Sequence, residues 1–138
     1  MFLLDTNVIS ELRKGASGKA NTKVLTWANE VSTSSLFISV ITVLELELGV
    51  LLAERRDPPQ GAILREWLDN HVIPAFKDRI LNVDMTIAQR CAALHVPDPR
   101  SNRDSLIAAT ALVHGMTVVT RNEKDFGGTK VPLINPWH

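Results

Sequence analysis

Met1-Phe2-Leu3-Leu4-Asp5-Thr6-Asn7-Val8-Ile9-Ser10 opens the chain, and its reading sets the fold class. Phe2, Leu3 and Leu4 are apolar without alternation, which suits a short strand covered on both faces. Asp5 stops the run and offers good N-cap chemistry. Val8 and Ile9 then begin a helical pattern that extends over 6–14.

The same alternation continues down the chain. Further short apolar runs predict strands over 36–40, 80–83, 117–120 and 131–134. Helices are expected over 23–31, 43–55, 59–72, 85–94 and 105–114. Residues 15–22 and 97–103 read as loops, and 57–61 as a turn that puts proline in the first turn of a helix. His114-Gly115 is a good helix stop, with a cation near the last carbonyls and glycine just past them. Strands alternating with helices predict an α/β fold. Its central sheet is mainly parallel and short-stranded, with helices on both faces. Nothing divides the chain, so 1–138 reads as one domain.

Composition narrows the function. With 45% apolar residues the 138-residue chain can fill a core. Fifteen basic residues balance fifteen acidic ones, so no global positive field advertises nucleic-acid binding. Any such role must rest on local charge. The single cysteine, Cys91, lies in an apolar helical pattern and reads as a small buried hydrophobe. His71, His95, His114 and His138 lack zinc-ligand spacing. No apolar run is long enough for a membrane span, and no basic leader precedes the first strand. The cytoplasm is therefore the expected compartment.

Three acids stand near predicted element ends. Asp5 follows the first strand, Glu45 lies at the start of the helix after the second, and Asp104 opens the helix over 105–114. A polar cluster, Thr120-Arg121-Asn122-Glu123-Lys124-Asp125, follows the fourth strand. In an open parallel sheet the loops beyond the carboxyl ends share one edge, where ligands bind. Carboxylates gathered there repel one another unless a cation neutralises them. Mg²⁺ suits that task, since it takes oxygen ligands and keeps several waters. It can also activate water against a phosphodiester. The plainer account is helix capping: Asp5, Thr42 and Asp104 are good N-caps, and Thr42-Val43-Leu44-Glu45 reads as a capping box. Both accounts stand on the residues alone.

The segments around these acids resemble the PIN-domain family. Met1 to Ser10 is similar to its opening strand and first acidic motif. Ser39-Val-Ile-Thr42-Val-Leu-Glu45-Leu-Glu-Leu-Gly49 resembles the second, and Arg103-Asp104-Ser-Leu-Ile-Ala-Ala-Thr110-Ala the third. Val119-Thr120-Arg121-Asn122-Glu-Lys-Asp125-Phe126 resembles the fourth, and Ile134-Asn-Pro136-Trp137 looks like the end of VapC- and FitB-type toxins. The resemblance implies a PIN-like fold and an Mg²⁺-dependent endoribonuclease (Mn²⁺ an alternative ion). It further implies metal-coordinating acids at Asp5, Glu45 and Asp104, and hydroxyls near the site at Thr6 and Thr120. Asn122 stands where the family often has aspartate, and Asp125 reads as a surface turn residue beside Phe126.

Partners follow in the same way. The resemblance implies an RNA substrate, a cognate antitoxin docked near the site, and a homodimer. Arg100, Arg103, Arg121 and Lys124 lie in loops beside the expected site and are candidates to hold RNA phosphates. Trp27, Trp67 and Trp137 sit in apolar patterns and read as packing residues rather than base-stacking ones. The helix over 43–55 is apolar on more than one face, as a core or interface helix must be. Two other functions remain open: a non-catalytic PIN-like binding protein, and a phosphohydrolase using Asp5 as nucleophile. The latter class commonly has a second aspartate two residues on, and position 7 is Asn.

Overall fold

The computed structural model describes all 138 residues. Its sheet has five strands: β1 (Phe2–Leu4), β2 (Leu36–Ser39), β3 (Ile80–Leu81), β4 (Thr117–Val119) and β5 (Leu133–Ile134). They lie in the order β3-β2-β1-β4-β5, and every adjacent pair is parallel. Parallel neighbours need crossovers, and helices supply them. These are α1 (Thr6–Arg13), α2 (Thr22–Glu30), α3 (Val40–Arg56), α4 (Pro58–Trp67), α5 (Ile73–Ala75), α6 (Met85–Leu94) and α7 (Asn102–His114).

Strand periodicity splits the core in two. Leu4 and Val119 join Val8, Ile9, Ile38 and Leu46 in one cluster. Their neighbours Leu3 and Val118 join Ile41, Ile107, Ala108 and Phe126 in another. Successive strand residues point to opposite faces, so both faces of the sheet are covered.

Several boundaries differ from the sequence expectation. α3 starts at Val40 because the Ser39 hydroxyl accepts the Ile41 N–H at 3.0 Å. The expected capping box at Thr42–Glu45 therefore does not form. Thr42 is inside the helix, buried, with its hydroxyl unpartnered, and Glu45 is freed from capping. α7 starts at Asn102, so Asp104 lies in its first turn rather than at the cap. The helix expected over 59–72 ends as an α-helix at Trp67 and widens into a π turn, Leu68–Val72, just before α5. Pro74 follows in α5 and has no N–H to continue an α ladder. Lys14, expected to end the first helix, and Gly15–Ser17, expected as loop, form a 3₁₀ turn closed by Gly18 at φ 72°.

α3 and α4 form a tight hairpin. Arg65 bonds Glu47 at 2.6 and 2.8 Å and also reaches Glu54 at 3.2 Å. Gly61 faces the Glu54 backbone so closely that a Cβ would meet the Glu54 Cα at 2.4 Å. On its outer side α3 leaves Leu44, Leu48, Leu51 and Leu52 exposed, while Leu46 and Val50 enter the core. Gly61→Ala should lower the urea midpoint, with a loss of about 1–3 kcal/mol, because backbone must move to admit the methyl group. An unchanged midpoint contradicts this close approach.

Candidate active site

The chain order reverses between β1 and β4, and a crevice forms there at the carboxyl edge of the sheet. The Asp5 N–H donates to the Val119 carbonyl at 2.9 Å, so the ladder runs to the edge of the crevice. The Asp5 carboxylate is only 6% exposed and takes three donors. Oδ1 accepts the Thr6 N–H at 2.8 Å. Oδ2 accepts the Thr120 hydroxyl at 2.8 Å and the Asn7 amide at 3.2 Å. Asn7 Oδ1 in turn accepts the Arg121 N–H at 3.2 Å, and Thr120 Oγ1 accepts the Asn122 N–H at 3.0 Å. The loops after β1 and β4 are thus tied together through one carboxylate.

Glu45 projects from α3 to the same place. Its Oε1 accepts the Thr6 hydroxyl at 2.7 Å, and its Oε2 lies 3.7 Å from Arg103. Asp104 arrives differently from the other two. It does not follow a strand; α7 leads back into β4, so the start of α7 lies at the carboxyl edge. Asp5, Glu45, Asp104, Asn122 and Asp125 line one cavity of about 490 Å³. Asp125, expected as a plain turn residue, is exposed but belongs to this cavity, and its charge acts on both Asp5 and Asp104.

The carboxylates are under electrostatic strain. Burial raises the Asp5 pKa above the usual carboxylate value, against the hydrogen bonds from Thr120 and Thr6. Glu45 and Asp125 push it further in the same direction. Asp104 is pushed up to about 6, first by burial and then by Asp125, Asp5 and Glu45. A cation would relieve all of these charges at once. Beside Lys14, Arg121 and Trp137, the lining holds five carboxylates, hydroxyls and amides and no histidine or cysteine, a donor set for a hard ion such as Mg²⁺. No three acidic groups converge to the ligating distance of one ion. An ion that keeps several waters needs only one or two of them, so the residues fit it.

The expected RNA-binding cations divide. Arg121 lines the acidic cavity, and Arg103 stands on Glu45. Lys124 lines an adjoining cavity. Arg100 lines neither: its guanidinium bonds the carbonyls of Leu94 at 2.9 Å and Gly127 at 2.6 Å. The sequence reading missed one side of the site, Asn7, Ser10 and Glu11, which α1 supplies together with Lys14. The signal was present as a polar stripe at helical spacing opposite the buried Val8 and Ile9. Glu11 is held below the usual range by the Asn21 N–H at 2.9 Å and then by Lys14.

The family model described as "PIN domain" matches residues 2–130. The chain belongs to the PIN-domain family. It is 37% identical to the VapC ribonuclease Y4jK of Sinorhizobium fredii, over 99% of this chain and 98% of that one. It is 36% identical to toxin FitB of Neisseria gonorrhoeae, over 100% and 99%. The crystal structure of FitAcB from Neisseria gonorrhoeae superposes with TM-score 0.89 at 36% identity, over 100% of this chain and 99% of that one. A FitAB structure bound to an IR36 DNA fragment gives TM-score 0.89 at 35% identity, over 100% and 96%.

In this PIN domain the raised Asp104 pKa links stability to pH. The folded state holds the Asp104 proton more tightly than the unfolded chain, whose value is near 3.8. Its stabilising contribution is therefore present below 3.8 and is lost as pH rises through about 6. With chelator present, Asp104→Asn should match the parent near pH 4 and exceed it near pH 8 by about 1 kcal/mol, after discounting for solvent screening. Urea midpoints at the two pH values measure this. A difference that does not change with pH contradicts it.

Proposed function

We propose that this PIN domain is a divalent-metal-dependent endoribonuclease and serves as the toxin of a toxin–antitoxin pair. One observation carries the reading: Asp5, Glu45, Asp104 and Asp125, from four separate elements, line one crevice at the topological switch point. Helix capping does not explain the gathering, since only Asp5 caps its helix. The relatives named ribonuclease and toxin support it.

One or two of Asp5, Glu45 and Asp104 would hold Mg²⁺ directly, with the rest reaching it through its waters, and the ion when bound supplies Lewis-acid charge to the phosphodiester and to the attacking water. Asp5 is held rigid for that role by Thr6, Asn7 and Thr120. The Asn122 side chain adds a neutral amide at the fourth position. Arg103 neutralises Glu45, and Arg121 offers the RNA phosphate a cation at the rim. If water attacks that diester with the 3′ oxygen as leaving group, the pattern the family resemblance implies, the products are a 5′-phosphate and a 3′-hydroxyl.

The partners belong to the same reading. The solved FitAcB and FitAB structures support an antitoxin partner, and on this reading it docks near the acidic pocket. The exposed stripe Leu44, Leu48, Leu51 and Leu52 of α3 suits a homodimer interface. No helix is long and apolar enough to cross a membrane, and the proposed toxin role is consistent with the cytoplasm.

Asp5→Asn should reduce cleavage of total RNA by at least about a hundredfold, the scale of losing one transition-state contact. The melting temperature should stay near that of the parent. Chelator should silence the parent equally. Cleavage by Asp5→Asn at the parent rate contradicts the assignment.

A further inference from the structure

Beside the acidic pocket lies a larger cavity of about 840 Å³, and Trp137 is the one apolar residue in its wall. The two cavities share Arg121, Asn122, Asp125 and Trp137, so the path between them is continuous. The segment that builds the outer wall is held firmly. The Trp137 N–H donates to Asn135 Oδ1 at 3.0 Å. The Asn135 amide donates to the Arg121 carbonyl at 3.3 Å and to Glu123 at 3.1 Å. Glu123 also lies 3.2 Å from His138. These contacts fix Trp137 beside Arg121, whose guanidinium carbon stands 5.5 Å from the ring centroid.

Charge separates along this wall. Glu123 is absorbed by Asn135 and His138, which hold its carboxyl below the usual value. Arg121 and Lys124 are exposed and make no ion pair. Trp137 packs partly on the first core cluster and partly lines the cavity. An indole that holds a free guanidinium above it, next to a free ammonium, matches one nucleotide in its two parts. Bases stack on arginine planes and aromatic rings, and lysine takes phosphate. The cavity is also large enough for such a unit.

We propose that Arg121, Trp137 and Lys124 form a nucleotide subsite that holds one base and one phosphate of the RNA beside the scissile bond. The subsite rests on the ribonuclease reading and deepens it, since it places part of RNA selection in the Asn135–His138 segment. RNA fits this wall better than a docked protein does, because the lining is polar and opens onto the acidic pocket.

The test reads binding and turnover separately. Tryptophan fluorescence is followed while a hexameric RNA is added in the presence of chelator, so that nothing is cut. Quenching should appear in the parent and in Trp27→Phe, and should be lost in Trp137→Phe. In Mg²⁺, Trp137→Leu and Arg121→Gln should each raise KM for RNA by about tenfold, the loss expected of one stacking contact. Trp137→Phe should restore most of that affinity. Arg121 is exposed, so its variant keeps the test valid if Trp137→Leu folds poorly. Equal quenching in the parent and Trp137→Phe, or a KM for Arg121→Gln within about twofold of the parent, overturns the subsite. No response to RNA in either readout overturns it too. Quenching does not depend on cleavage. A parent that binds through Trp137 but never cuts RNA therefore sinks the ribonuclease reading alone.

Discussion

The carboxylate of Asp5 must be buried at the junction of β1 and β4, and the rest of the site is arranged around that requirement. A carboxylate so deeply buried is costly unless donors surround it. Thr6, Asn7 and Thr120 do so, and each carries a second contact. Thr6 reaches Glu45, Asn7 reaches Arg121, and Thr120 receives Asn122. The hydrogen bonds that make Asp5 tolerable therefore also position the neighbouring acids and cations. The all-parallel sheet supplies the place, because β1 and β4 are where its crossovers part.

Satisfying Asp5 does not remove the repulsion. Asp104 and Asp125 add negative charge to a cavity that already holds Asp5 and Glu45. The protein carries this strain in its folded state, and Arg103 offsets only the Glu45 share. Function sites commonly store such strain where a ligand will relieve it. On the proposed reading, substrate contact falls to the rim, where Arg121 lies, and the neutral overall charge does not prevent it.

Much of the architecture was legible in the sequence. The five apolar runs became the five strands, because continuous apolar segments leave few alternatives in a sheet covered on both faces. Helix starts were less legible. Ser39 and Thr42 are both good caps, and local chemistry does not say which one closes the helix. The structure chose Ser39, and Glu45 was thereby released toward Thr6. Asp5, Glu45 and Asp104 were singled out because the sequence places each near an expected element end, and Asn122 because of the family resemblance; the structure brings all four to one cavity. Asn7, Ser10 and Glu11 were missed because a polar helix stripe reads as solvent-facing until the sheet edge is known. Arg100 looked like a phosphate ligand, yet it is spent on the Leu94 and Gly127 carbonyls, a pairing across sequence that no pattern reveals. Asp125 reached the cavity through a 3₁₀ turn, Glu123–Phe126, that the sequence shows only as a polar cluster.

The central claim is that crowded, desolvated carboxylates at one sheet edge destabilise the fold until a hard cation occupies them. A ligand that binds only the folded state raises the melting temperature as its concentration rises. The direct measurement is the melting temperature of the chelator-stripped protein during a Mg²⁺ titration, with Na⁺ at matched ionic strength as the control. The account predicts a saturable rise with Mg²⁺, little change with Na⁺, and a much smaller Mg²⁺ response in Asp104→Asn. A parent protein that responds to Mg²⁺ no more than to Na⁺ contradicts it.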